Sequence, residues 1–302
     1  MSLLESASAL ALRHLPRERF ASWRQRYHAA RIKLYPLMRA LYGTFDAAAL
    51  RHHLENRLGR DFEILMVHSS VNHMIPMYSD TPLNLVRMLM DFCGPNRTLV
   101  MPAFCFGDDR RDARISAAFS QHARFDLRHT PSRMGLATEL FRRTRGVLQS
   151  RHPVYRVSAF GPLAKELTRG HEWAETACGR DTPFDFMANH DTRILGLGKR
   201  YEVLTQVHHA EDLMGDEFPV PFSVGDRSTI IIADGSEEIP VKLPARTLLW
   251  RRNMWKLREI MDRSALQEWT FHHVALFTTR ANDVTAAIIA AAKRGITLYE
   301  KP

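Results

Sequence analysis

The sequence predicts an α/β protein with a mixed sheet, and three observations carry that expectation. Short apolar runs of strand length alternate with amphipathic stretches of helical length. Several of the runs stop at glycine or proline. Two of them flank Asp234-Gly235, a pair that favours a tight hairpin and so brings antiparallel strands into the fold. With 302 residues, 45% of them hydrophobic and 25% charged, the chain is that of a globular protein able to bury a sizeable core as one large domain or two small ones.

Taken in order, the first element is a basic amphipathic helix. Phe20, Trp23, Tyr27, Ala30, Leu34, Leu37 and Leu41 recur at steps of three and four, and Arg17, Arg19, Arg24, Arg26, Arg31, Lys33 and Arg39 fill the other face. Pro36 breaks or kinks it, and Gly43 closes it, which divides the chain into an N-terminal helical extension (1–43) and a main domain (44–302). The simplest reading docks the helix on its own domain through the aromatic stripe. Residues 17–42 also suit a homodimer contact or a peripheral contact with an anionic membrane.

A second helix follows over 45–58, then a buried strand over 62–68, where Phe62, Ile64, Leu65, Met66 and Val67 are apolar. Residues 83–92 read as helix and 98–102 as a strand that Pro102 ends. Residues 136–143 read as helix, 158–161 as a turn leading into a helix through Leu167, and 193–196 as a third strand. The hairpin comprises 229–235 and 239–243, and helices are expected over 248–263 and 283–294.

Charge and cysteine usage narrow the function. The formal charge is +9, but residues 1–60 hold 11 Arg/Lys against 4 Asp/Glu and leave only +2 for the rest. The body is close to neutral, which argues against nucleic-acid binding. No apolar run reaches the ~18–20 residues of a membrane span. Early polar residues (Glu5, His14) and Pro16 argue against a secretory signal. Cys93, Cys105 and Cys178 are scattered without a Cys-x-x-Cys, as reduced thiols of a cytoplasmic protein would be.

The most informative stretch runs from Arg193-Ile194-Leu195-Gly196-Leu197-Gly198 to Thr205-Gln206-Val207-His208-His209-Ala210-Glu211. A strand, a loop and then His-x-x-Glu can mount a general base at a sheet edge, with the acid holding its ring. Val67-His68-Ser69-Ser70-Val71 gathers backbone amides and two hydroxyls at a strand end, fit for an amide-bearing ligand or a phosphate, or for plain helix capping. In Thr130-Pro131-Ser132-Arg133-Met134-Gly135, Ser132 is a helix-cap candidate and Arg133 a partner for phosphate. Ser150-Arg151-His152-Pro153, with Ser158, puts a further imidazole on a loop. His208 and Glu211, even with His209, His190 or Asp191, lack zinc-site spacing, and no metal is expected. His209 reads as an ordinary side chain. Gly196-Leu197-Gly198 is too short for a dinucleotide fingerprint, and a Gly-x-Ser-x-Gly elbow is absent.

In this order the motifs resemble those of the aminoglycoside 3-N-acetyltransferase family. The resemblance rests on Val67-His68-Ser69-Ser70, Thr98-Leu99-Val100-Met101-Pro102, Thr130-Pro131-Ser132-x-Met134-Gly135, Ser150-x-His152-Pro153 and Thr205-x-x-His208-x-Ala210-Glu211. It covers residues 47–212 and, more loosely, the C-terminal part. It implies one layered α/β/α domain, antibiotic N-acetyltransferase-like, that uses acetyl-CoA and no metal. By the same resemblance His208 is the base and Glu211 orients it or meets the acceptor's charge. The Thr205 hydroxyl is the oxyanion donor, with backbone amides around Ser69-Ser70 as the competitor. The pantetheine arm lies along His68, Ser69, Ser70, Val71 and Pro102, and the phosphates near Ser132, Arg133 and Met134.

The implied acceptor is a small-molecule amine. Glu202, Glu211, Asp212, Asp216 and Glu217 suit a polycationic aminoglycoside, while the basic chain keeps an amino-sugar nucleotide or a biosynthetic amine open. Transfer of another acyl group, transfer to oxygen, and a non-catalytic CoA-binding or interaction module are the alternatives. Three features depart from the family pattern: a longer loop over 198–208, His209 in a usually hydrophobic position, and the basic helix before Gly43.

Overall fold

Ile64-Leu65-Met66-Val67 is too uniformly apolar for a strand with one wet face, and all four side chains are buried at the centre of a seven-stranded sheet. The computed structural model describes residues 32–105 and 124–301. The strands are β1 (Ile64–Ser69), β2 (Thr98–Pro102), β3 (Arg124–Asp126), β4 (Leu148–Gln149), β5 (Val157–Phe160), β6 (Thr192–Leu197), β7 (Phe222–Asp234), β8 (Glu237–Leu248), β9 (Arg251–Arg252), β10 (Gln267–Phe271), β11 (Val274–Arg280) and β12 (Tyr299–Glu300). The helices are α1 (Tyr35–Tyr42), α2 (Ala47–Leu58), α3 (Val71–Met74), α4 (Pro82–Cys93), α5 (Leu136–Arg142), α6 (Ala164–Thr168), α7 (Pro183–Ala188), α8 (Val207–Met214), α9 (Leu257–Ile260) and α10 (Ala281–Ala292).

The central sheet has the order β10-β11-β6-β1-β2-β5-β4. Its middle, β6-β1-β2, is parallel, and antiparallel strands flank it on both sides. Side chains alternate across it. Ile64 and Met66 join Val207, Ala210, Val284 and Ile288 in one core, so α8 and α10 cover that face. Leu65 and Val67 turn to the other face, where α2, α4 and α5 pack together with Leu54, Leu85 and Leu89 buried. The result is the mixed α/β/α sandwich expected from the motifs.

A second sheet, β3-β7-β8, holds the Asp-Gly hairpin. Asp234 pairs with Glu237 across Gly235, whose φ of 62° is the left-handed conformation such a turn requires. Phe125, Ile230, Ile232, Ile239 and Val241 form its own core with Val154.

The chain divides into two units, Met1–Thr44 and Phe45–Pro302. The basic helix expected from residue 20 lies outside the described residues as far as residue 31. Beyond it α1 begins at Tyr35 with Pro36 in its first turn, and Gly43 caps its end. None of the helices among the described residues is long and apolar enough to cross a membrane.

Two local expectations are corrected, and one element was unforeseen. Residues 158–160 form part of β5, antiparallel to β2, and the turn starts only at Gly161. There a Cβ would meet the Arg97 carbonyl oxygen at 2.3 Å. Residues 248–263 are not one helix. They contain β9, a 3-10 turn (Met254–Lys256) and the short α9, because Arg251 and Arg252 pair with Glu300 and Tyr299 and that distant partner overrides local propensity. The hairpin β10–β11 was not expected either. Its turn is His272-His273, with φ of 47° and 62°, where Asn-Gly would be the usual signal.

Candidate active site

Strand β6 ends at two glycines for steric reasons. A Cβ on Gly196 would lie 2.0 Å from the Phe277 ring of neighbouring β11. Gly198, at φ 64°, would put one 2.6 Å from the Ser70 carbonyl oxygen. The loop that follows is pinned by Tyr201, whose ring meets Trp255 edge-on at 5.4 Å, and by Arg200, which pairs with Glu268 at 3.2 Å. The chain then enters α8. His208 therefore stands in the first turn of a helix rather than at a sheet edge, and the spacing of three puts Glu211 on the same side.

Four side chains meet there. His208 Nδ1 lies 2.9 Å from Glu211 Oε2. Arg252 places one terminal nitrogen 2.7 Å from His208 Nε2 and the other 3.1 Å from Glu211 Oε2. Tyr299 donates its hydroxyl to Glu211 Oε1 at 2.9 Å and accepts from Arg252 Nε at 2.9 Å. The Arg252 fork faces both ring nitrogens, its second terminal nitrogen lying 3.0 Å from Nδ1, so the tautomer follows from Glu211, whose carboxylate only accepts and therefore takes Nδ1–H. Nε2 is thus the accepting nitrogen, and Nδ1–H donates to Glu211. Tyr155 closes one side, with its ring edge-on to His208 at 5.8 Å.

Charge follows from these contacts. Burial pushes the Glu211 carboxyl up, but the imidazole, Arg252 and Tyr299 outweigh burial and hold it below its ordinary value. Burial lowers Arg252, and Glu211 and Tyr299 more than restore it. Burial pushes the Tyr155 and Tyr299 phenols up, so both remain protonated. Burial likewise raises the neighbouring Asp212, which accepts from the Cys178 amide at 2.9 Å.

The other predicted residues gather at the C-terminal ends of β6, β1 and β2. His68 is buried, and burial with nearby Lys199 pushes it down to about 4. The Ser69 hydroxyl is buried without a hydrogen-bond partner among the described residues. The Ser70 amide donates to the Leu197 carbonyl at 2.9 Å, and Val71 opens α3. Pro102 ends β2. A Cβ on Gly135 would stand 4.0 Å from the Ser69 carbonyl, which brings the Ser132-Arg133-Met134 loop against the end of β1. Ser132 does not cap α5. Its hydroxyl accepts from the Met134 amide at 3.1 Å, and Gly135 holds the cap position.

Phe104 links that loop to His208. Its carbonyl takes the Arg133 amide at 2.9 Å, and its ring meets Tyr155 at 5.3 Å. Thr205 accepts the His208 amide at 3.0 Å and turns its hydroxyl to the Val203 carbonyl at 3.3 Å.

The Ser150-x-His152-Pro153 motif proves to be a brace. His152 Nδ1 accepts from the amides of Val154 (3.1 Å) and Tyr155 (2.9 Å), which fixes Tyr155 beside His208. Its ring stacks on His171 at 4.5 Å. His171 in turn accepts from Ser150 and donates to Ala177, each at 2.9 Å. His209 is a buried latch that donates to the Cys178 carbonyl at 2.6 Å. Tyr155 was not foreseen, and neither were Arg252 and Tyr299, since nothing local marks residues that reach Glu211 from 41 and 88 positions away.

The fold defines a class. It is that of aminoglycoside acetyltransferase AAC(3)-Xa, with a TM-score of 0.71 and 19% identity over 88% of this chain and 99% of that one. It is also that of AAC-IIIb in its binary complex with CoASH, with a TM-score of 0.66 and 20% identity over 86% of this chain and 100% of that one. At such identities the likeness concerns the fold. The sequence profile of the aminoglycoside 3-N-acetyltransferase family matches residues 66–292, and the chain belongs to that family. Aminoglycoside N(3)-acetyltransferase IX of Micromonospora chalcea is 28% identical over 180 residues, 57% of this chain and 63% of the relative. The match thus spans less than two thirds of that relative's length.

Proposed function

We propose that the protein transfers the acetyl group of acetyl-CoA to an amino group of an aminoglycoside or a related amino-sugar acceptor, with His208 as general base. The observation that carries this reading is the 2.9 Å contact of His208 Nδ1 with Glu211, in which the carboxylate takes Nδ1–H and leaves Nε2 to accept a proton. An ammonium cannot attack a thioester until it loses a proton, and an imidazole accepts protons in the physiological range. Nε2 takes the proton of the neutral amine as the new C–N bond forms, and as the C–S bond breaks the imidazolium passes that proton to the departing sulfur, so CoA leaves as its thiol. Glu211 steadies the imidazolium formed. The Thr205 hydroxyl is our oxyanion donor, since its 3.3 Å bond to the Val203 carbonyl is longer than the 2.9 Å bond that engages the competing Ser70 amide.

For the cosubstrate we propose the pantetheine arm along His68, Ser69, Ser70, Val71 and Pro102, and the phosphates near Ser132, Arg133 and Met134. The orphaned Ser69 hydroxyl supports this, since it suits an amide-bearing chain. Residues 44–302 would hold this chemistry in the cytoplasm, with 1–43 as an appended helix. Release of thiol from acetyl-CoA, screened over aminoglycosides and amino-sugar nucleotides, tests the proposal. Acceptor-dependent turnover is expected, and its absence across the panel would overturn the reading.

A further inference from the structure

The accepting nitrogen of His208 is occupied by the protein itself. Arg252 donates to Nε2 at 2.7 Å, and a guanidinium does not give up its proton near neutral pH. While that contact lasts, no acceptor can pass a proton to Nε2. We propose that Arg252 is a specificity-determining cap, which an acceptor must displace to reach the base and which an alkylammonium displaces best. The inference rests on the reading of His208 as the base.

The selection follows from what the guanidinium touches. One terminal nitrogen caps Nε2, while the other lies 3.0 Å from Nδ1 and 3.1 Å from Glu211 Oε2, so the fork covers the imidazole and its carboxylate together. Glu211 is only 6% exposed, so losing its cation without replacement leaves a buried carboxylate short of compensation. An ammonium carries a full positive charge and three N–H groups, enough for Nε2 and the carboxylate together. A hydroxyl offers one hydrogen and no charge. The cap therefore favours transfer to nitrogen over transfer to oxygen.

The geometry also gives Arg252 a way out. It belongs to the two-residue β9, paired with β12, and its side chain is 30% exposed. Its Nε donates to the Tyr299 hydroxyl, and its guanidinium lies 5.2 Å from the centre of the Tyr299 ring. Rotation beyond Cδ frees the terminal nitrogens without moving the strand.

Carbethoxylation of His208 by diethyl pyrocarbonate, followed by peptide mass spectrometry, reads the availability of Nε2 without any acetyl transfer. Arg252→Ala should raise the modification rate about tenfold or more, the scale of one charge-assisted hydrogen bond. Added guanidinium chloride, kept well below denaturing concentrations, should slow it again in Arg252→Ala and leave the native protein unchanged. In turnover, Arg252→Ala should raise transfer to hydroxyl acceptors relative to amines, read as the ratio of the two kcat/KM values. Should Arg252→Ala fail to fold, Arg252→Lys keeps the charge but loses the fork that spans both partners, and His208 should still react faster than in the native protein. Equal modification rates in the native protein and the folded variants would overturn the cap. A capped His208 in a protein that acetylates nothing would overturn the proposed function alone.

Discussion

Tyr155 touches two histidine clusters that differ in every respect bearing on proton transfer. On one side, His152 and His171 stack at 4.5 Å, are fully enclosed, and bond to backbone amides, a carbonyl and the Ser150 hydroxyl. Burial, only partly offset by the bond to the Ala177 carbonyl, pushes His171 down to about 4, and burial beside His171 pushes His152 well below its ordinary value. On the other side, His208 is partly exposed and works among full charges, Glu211 and Arg252. An imidazole enclosed by backbone partners stays neutral and braces the chain. One set between a carboxylate and a guanidinium has a fixed tautomer and an accepting nitrogen turned toward what can move.

Acid separates the two clusters and should show the largest effect. The folded-state pKa values of His152, His171 and His68 lie below the ordinary 6.5, so the unfolded chain binds more protons. Stability is complete above about 6.5 and falls as pH drops toward 4, by up to roughly 3 kcal/mol each for His68 and His171. The Glu211 carboxyl is held below its ordinary value of 4.5, so its contribution is lost only as the pH falls below that value. Urea unfolding between pH 7 and pH 4 measures this. A flat profile would contradict the neutral brace, and His171→Asn should reduce the slope.

Glu211→Gln probes the charged cluster. It removes the group that fixes the His208 tautomer and compensates Arg252, and turnover should fall about 10- to 100-fold. Steady-state thiol release measures it, and full activity would remove Glu211 from the account. A smaller effect belongs to the residue between the clusters. Tyr155→Leu keeps the amide that His152 holds but loses the edge-on contact with His208. Turnover should drop roughly 2- to 10-fold, the worth of one aromatic pair, with thermal stability changing more than CoA affinity.

Much of the frame was legible in the sequence because a local signal stood behind each part. β1 and β2 are built on the apolar runs Ile64-Leu65-Met66-Val67 and Leu99-Val100-Met101, and the Asp-Gly turn announces β7 and β8. His208 and Glu211 could be read together because three residues on a helix share a face. The hairpin at His272-His273 was hidden, since two histidines carry the positive φ that glycine usually marks. Arg252 and Tyr299 were hidden for another reason. They reach Glu211 through the pairing of β9 with β12, two-residue strands with no pattern of their own. His209, which stood out as a departure, turned out to be a latch on the Cys178 carbonyl.

The comparison between the clusters, and with it the assignment of the base, is tested most directly by acceptor-dependent thiol release in two variants. His208→Ala should lose about 10²-fold or more in turnover while its affinity for CoA stays close to native. His171→Asn, assayed near neutral pH where it remains folded, should stay within a few-fold of native. Full activity in His208→Ala, or an equal loss in both variants, would contradict the account.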